Sequence, residues 1–270
     1  MNILIMGATG YLGSHVLDTL SKGNSIFAIC RKKSVENLKG VVSVLNNEYA
    51  RLFKENKIDW IINCIGVYQK EERKKVIEGN MSYPLQVMDT AVEYGVKNII
   101  NVNTSLPEDL NLYAFTKNEL GRFGKFYSMQ YGINFYNLPV EMFYGKDEPE
   151  GRFFTAMINK MKKNEDIYLT EGYQKRDIVH IEDVCQAIKL AMHSGWNGYY
   201  DIPVGTGEGR PIRELVEYIH EKINSSSNLL FGAVPMRKNE PDSIADISLL
   251  LSMGYKVKYP WREGLEKMLR

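Results

Sequence analysis

Along the chain, short runs in which nearly every position is apolar alternate with longer stretches in which apolar residues recur every three or four positions. Runs at 2–6, 26–30, 41–45, 59–66, 96–103 and 133–138 are of the first kind and read as strands buried on both faces. Between them, residues 11–22 carry Leu12, Val16, Leu17 and Leu20 at helical spacing; 48–56, 76–94 and 113–131 follow the same rule, the last through Leu120, Phe123 and Tyr127. Apolar strands alternating with amphipathic helices predict an α/β fold, a doubly wound parallel sheet. Two further helical patterns, at 212–223 and 261–269, lie beyond the alternating part.

The turn after the first strand reads Gly7-Ala8-Thr9-Gly10-Tyr11-Leu12-Gly13. Glycines there let the backbone approach a pyrophosphate at the positive end of the following helix, so dinucleotide binding is the leading reading; a tight turn with close helix packing is the plainer one. Their spacing departs from the usual fingerprint, whose first two glycines stand one residue apart. Where that motif carries an acid for a ribose hydroxyl, at the end of the second strand, this chain has Arg31, Lys32 and Lys33. Cations there suit a 2′-phosphate and favour NADP(H) over NAD(H); a solvated basic loop is the alternative.

Composition narrows the partners. With 270 residues, 44% of them hydrophobic, the chain can bury a full core, and a net charge of +1 offers no field for nucleic acid or an anionic membrane. Cys30, Cys64 and Cys185 lie far apart in apolar runs, which predicts reduced core residues and fits the cytoplasm. His15, His180, His193 and His220 have no ligand spacing, so no metal is expected.

Thr104 and Ser105 stand at the carboxyl end of the fifth strand, where open α/β sheets bind ligands. Shortly after, Tyr113 and Lys117 are four apart and share a helical face. An ammonium beside a phenol favours the phenolate, and a threonine hydroxyl can orient the same substrate oxygen. Tyrosine and lysine alone would read as a surface pair; Thr104 before them makes the set stronger.

With these residues the chain resembles the extended short-chain dehydrogenase/reductases of the nucleotide-sugar epimerase/dehydratase group over essentially its whole length. The resemblance implies a catalytic triad of Thr104, Tyr113 and Lys117. It implies a cofactor site of Gly7, Thr9, Gly10, Tyr11, Leu12, Gly13, Arg31, Lys32, Cys64, Ile65, Gly66, Asn80 and Pro139, to which Tyr113 and Lys117 also contribute. The run from Gly172 through Arg176, Asp177, His180 and Asp183 to Val184 is similar to the group's second signature, and assigns phosphate contacts to Arg176 and to Arg237. Ser105 and Glu141 complete the implied substrate contacts. The group's usual asparagine near 142 is Met142 here. The implied division is 1–147 with 178–205 for the NADP-binding Rossmann domain, and 148–177 with 206–270 for a smaller C-terminal α/β region that binds the nucleotide sugar. A homodimer through the helices at 76–94 and 113–131 is likewise implied.

Residues after Thr104 bear on the reaction. A dehydratase of the group carries an Asp-Glu pair there; Ser105 and Leu106 cannot replace it, because leucine moves no proton. With NADP(H) as a consumable reductant, net reduction is expected; Asn103-Thr104, Leu138 to Gly145 with Glu141, the Arg176 signature and Met253 to Lys256 resemble the group's reductases of nucleotide-diphospho-4-keto-6-deoxyhexoses, which implies that substrate class. A 4-epimerase and a non-catalytic NADP-sensing regulator are the alternatives.

Overall fold

A computed structural model describes residues 1–30, 41–68, 71–237 and 240–270. Two compact units result: Met1–Val140 with Cys185–Ile202, and Glu141–Val184 with Pro203–Arg270.

The first unit opens with β1 (Asn2–Met6), α1 (Tyr11–Leu20), β2 (Ser25–Cys30), β3 (Val41–Leu45), α2 (Tyr49–Glu55) and β4 (Trp60–Asn63). It continues through α3 (Arg73–Ile77), a π-helical turn (Glu78–Ser82), α4 (Tyr83–Glu93), β5 (Asn98–Thr104), α5 (Leu112–Tyr131) and β6 (Asn134–Val140). Ile3, Leu4, Ile5 and Met6 are fully buried, as a central strand covered on both faces requires. With a later strand, β10, the sheet runs β10-β6-β5-β4-β1-β2-β3, and every pair in it is parallel. The order reverses between β1 and β4, and the loops following these two strands therefore border the crevice where such sheets bind ligands. Helical residues bury Val16 and Leu17 of α1, Val87 and Met88 of α4, and Leu120 of α5.

Periodicity at 76–94 predicts one helix, and the chain there is helical but interrupted. Its ladder widens to π spacing over Glu78–Ser82, a local insertion that no hydrophobic pattern reveals and that often marks functional positions. Buried Asn80 lies within it.

The second unit contains β7 (Met142–Tyr144), α6 (Phe153–Lys162), β8 (Ile167–Tyr168), β9 (Lys175–His180) and the first turn of α7 (Ile181–Met192), whose remainder returns to the first unit ahead of β10 (Tyr199–Asp201). It closes with β11 (Gly209–Pro211), α8 (Ile212–Ile223), β12 (Leu229–Leu230), α9 (Ser248–Ser252) and α10 (Trp261–Leu269). β9 pairs with both β7 and β11, which is why the chain changes unit just before β7. Tyr144, Phe154, Met161, Leu215, Ile219 and Leu265 are fully buried in its core. Among the described residues no helix is long and apolar enough to cross a membrane.

Candidate active site

The glycine turn is shaped by what it must approach. Gly7 adopts φ +77°, and a β-carbon on it would stand 3.0 Å from the Ile65 nitrogen. A β-carbon on Gly13 would lie 2.0 Å from the Gly7 carbonyl oxygen, so no larger residue fits without moving the loop. Gly10 closes the turn by donating its N–H to the Gly7 carbonyl (2.9 Å) and stands at the N-cap of α1 with no side chain capping that end. Thr9 and Gly10 are exposed, Tyr11 is half-buried and Leu12 is core. An uncapped helix N-terminus with no acid in its first turn fits an anion such as a pyrophosphate. Arg31 and Lys32, the residues that bear on a 2′-phosphate, lie outside the described residues.

The loop after β4 joins this turn to Lys117. Cys64 donates its backbone N–H to the Met6 carbonyl (2.9 Å). Lys117, 2% exposed, places its ammonium 2.8 Å from the Ile65 carbonyl oxygen. Burial pulls the Lys117 ammonium down from its ordinary 10.5 to about 8; Cys64 pulls weakly the other way. The same burial pushes the Cys64 thiol up to about 12. Asn80 holds the rest of this loop: its Oδ1 accepts from the Val67 N–H (2.7 Å), while its Nδ2 donates to the Val67 carbonyl (2.9 Å) and to Thr116 Oγ1 (3.3 Å).

Tyr113 and Lys117 lie one turn apart on α5, and the start of that helix is fixed by Asn111, whose side chain accepts the Ala114 N–H at 2.9 Å. β-Carbons on Gly121 or Gly124 would meet the Asn137 side chain and the Phe135 ring, so these two glycines let α5 lie close on β6. The half-buried Tyr113 ring stacks on that of Tyr68, centroids 5.0 Å apart. Thr104, 8% exposed, accepts the Leu106 N–H on its hydroxyl (3.3 Å), and its own N–H goes to Asn103 Oδ1 (2.8 Å). Asn118 links this strand end to α5 by accepting from Asn103 (3.3 Å) and donating to the Ala114 carbonyl (2.9 Å). Ser105 donates its N–H to the Val140 carbonyl (3.2 Å), beside Pro139 on β6. The first unit thus brings together the glycine turn, Cys64–Ile65, Asn80, Thr104, Tyr113 and Lys117. Asn111 and Asn118 escape a reading of sequence; of the two, only Asn111, an N-cap type three residues before Ala114, carries a local signal.

In the second unit, Arg176 and Arg237 share one partner. Arg176 forms an ion pair with Glu240 and donates to the carbonyls of Pro241 (2.7 Å) and Lys175 (2.8 Å); Arg237 Nε stands 4.0 Å from the other Glu240 oxygen. Asp177, fully buried, takes N–H groups from Thr206 and Gly207 and the Thr206 hydroxyl, which anchors the strand carrying Arg176. Glu141 is 7% exposed and accepts the Ser243 hydroxyl (2.7 Å). Glu240 has no signal in sequence, because an acid three residues from an arginine is commonplace on surfaces.

Comparison with known proteins adds three findings. The model of the "NAD dependent epimerase/dehydratase family" matches residues 3–202. A CDP-abequose synthase of Salmonella muenchen is 29% identical over 99% of this chain and 96% of its own length. Two solved structures share the fold: a UDP-glucose 4-epimerase with UDP-glucose from Thermotoga maritima (TM-score 0.86, 23% identity, 99% of this chain and 97% of that one), and a UDP-glucose 4-epimerase with NAD from Thermus thermophilus (TM-score 0.82, 20% identity, 100% and 99%).

Proposed function

Because the chain belongs to the NAD dependent epimerase/dehydratase family, we propose that it is an NADPH-dependent reductase of a nucleotide-diphospho-4-keto-6-deoxyhexose. The observation that carries this reading is the pair Ser105-Leu106 directly after Thr104, where Leu106 offers only its backbone N–H to the threonine hydroxyl. That position lacks an acid for dehydration, while the groups needed for carbonyl reduction are present. The likeness to a CDP-abequose synthase over nearly the whole of both chains supports the same choice.

Gly7, Gly10, Gly13 and the α1 terminus hold the cofactor pyrophosphate in this reading, with Thr9, Tyr11, Leu12, Cys64, Ile65, Gly66, Asn80 and Pro139 lining it. Arg31 and Lys32 select a 2′-phosphate. When bound, the cofactor supplies the hydride that reduces the C4 carbonyl. Tyr113 gives its phenolic proton to the C4 oxygen and Thr104 donates a hydrogen bond to that oxygen as charge grows on it. Lys117 keeps a positive charge near the phenol and contacts the cofactor ribose. Arg176 and Arg237 bind the substrate diphosphate through paired N–H groups, with Ser105 and Glu141 as further contacts. The protein acts as a homodimer in the cytoplasm.

Purified enzyme incubated with NADPH and a panel of 4-keto-6-deoxyhexose nucleotides tests the reading. One NADPH should be consumed per sugar, and deuterium from 4-deuterated NADPH of the correct face should appear at sugar C4. Interconversion of 4-hydroxy sugars without added reductant, on a nicotinamide cofactor retained through purification, would establish the epimerase instead. Equal affinity for NADPH and NADH would remove the role of Arg31.

A further inference from the structure

Across the first unit runs a row of buried polar side chains that the chemistry above does not use. Asn63 on β4, Asn101 on β5, Asn137 on β6 and Asp201 on β10 stand opposite one another in register. The three asparagines are 1%, 0% and 4% exposed, whereas Asp201 is exposed on the edge strand. Each amide nitrogen donates to the next oxygen in the row: Asn63 to Asn101 at 2.9 Å, Asn101 to Asn137 at 2.9 Å, Asn137 to Asp201 at 2.7 Å. At the inner end, Asn63 Oδ1 accepts the backbone N–H of Ile65 at 3.2 Å. The carbonyl of that same Ile65 receives the Lys117 ammonium.

The two ends give the row one orientation. A carboxylate only accepts and a backbone N–H only donates, so turning any one amide would set two donors or two acceptors face to face. Isoleucines occupy neighbouring positions on these strands, and packing alone would be served as well by another apolar row. What an oriented row adds is a single geometry for the backbone at its end. Ile65 is the residue at which this matters, because the Gly7 turn packs against its nitrogen and Lys117 against its oxygen.

We propose that the Asn63–Asn101–Asn137–Asp201 row is a positioning device that fixes Ile65 and through it Lys117, and that its exposed end at Asp201 acts on the site three strands away. The functional weight of the proposal rests on the reading of Lys117 given above; its structural part does not. Removing the Asp201 carboxylate deletes the end acceptor, frees the Asn137 amide to turn, and lets the disorder pass inward to the Ile65 N–H.

The test uses the full chain labelled with ¹⁵N and the variants Asp201→Ala and Asp201→Asn, neither of which opens the core. Amide exchange at Ile65 should be about tenfold faster in Asp201→Ala, the change that the loss of one hydrogen bond of ordinary net strength produces. Exchange at Leu4 on β1 should be unchanged, and KM for NADPH should rise several-fold with a smaller change in kcat. Asp201→Asn should restore both, since its side-chain oxygen can accept from Asn137 and from the Tyr199 hydroxyl that also donates to Asp201 (2.7 Å). Asn63→Leu, which removes the inner acceptor itself, should give the largest acceleration; if it fails to fold, the Asp201 pair decides. Wild-type exchange at Ile65 in Asp201→Ala, or equal acceleration in Ala and Asn, overturns the proposal. Exchange needs no substrate, so the absence of turnover with every nucleotide sugar would defeat the functional reading and leave this test standing.

Discussion

The two units handle positive charge in opposite ways. In the first, Lys117 is buried against the neutral carbonyl of Ile65, and burial lowers its affinity for a proton. In the second, Arg176 and Arg237 share the carboxylate of Glu240. The difference teaches what each cation is ready to do. An ammonium held on a carbonyl dipole is costly to bury but has no acid to displace there before it acts. Guanidiniums already paired with an acid are comfortable, and must exchange that acid for any incoming anion.

The largest effect expected is at Tyr113, which the first unit holds ready. Tyr113→Phe should lower kcat by about 10³-fold, in the range of a lost general acid, and leave NADPH affinity within about twofold. Steady-state rates and a fluorescence titration check both halves. A matching loss of affinity would place the phenol in cofactor binding instead.

Gly13→Ala comes next. With a β-carbon 2.0 Å from the Gly7 oxygen, the variant should lose about 3 kcal/mol of stability, at the upper end for overpacking, and weaken NADPH binding with it. Denaturant unfolding measures the first. Unchanged stability would mean that the turn yields easily to a β-carbon.

The second unit supplies the third prediction. Arg176→Ala should raise KM for the nucleotide sugar about tenfold or more with little effect on NADPH, as expected for a charged hydrogen-bonding group. Glu240→Gln should lower that KM severalfold, because no carboxylate then competes. A rise in both variants would show Glu240 to be a partner of the substrate rather than its rival.

The smallest effect is on stability at Lys117. Its folded value lies below the ordinary one, so between pH about 8 and 10.5 the unfolded chain holds more protons. Its contribution therefore makes the fold more stable as pH rises through that window, and below it the burial cost is fully present, on the order of 3 kcal/mol. Lys117→Met forfeits the bond to Ile65 but removes that cost. The variant should gain about 1 kcal/mol at pH 7, a rise in Tm of roughly 2–4 °C, and lose most of its activity. Calorimetry at pH 7 and pH 10 reads the sign; the gain should vanish at the higher pH. In wild type, kcat/KM should decline above pH about 8 as the ammonium is lost.

Much of this was legible from residue order. Apolar runs such as Ile3-Leu4-Ile5-Met6 can be satisfied only by a strand covered on both faces, and helical repeats between them leave a parallel sheet as the solution. Gly7 and Gly13 announced a close approach because few other reasons require glycine at both places. Periodicity placed Thr104 at the end of a strand and Tyr113 and Lys117 one turn apart early in a helix, while their joint role came from the resemblance alone. The tertiary structure alone decided the rest, and the reason is range. Asn63, Asn101, Asn137 and Asp201 form one row only because four strands distant in sequence stand in register. Asn118 could not be assigned to the strand end of Thr104, nor Glu240 to Arg176, before folding brought them within bonding distance. The depression of Lys117 is likewise a property of burial, which the order of residues only permits and packing produces.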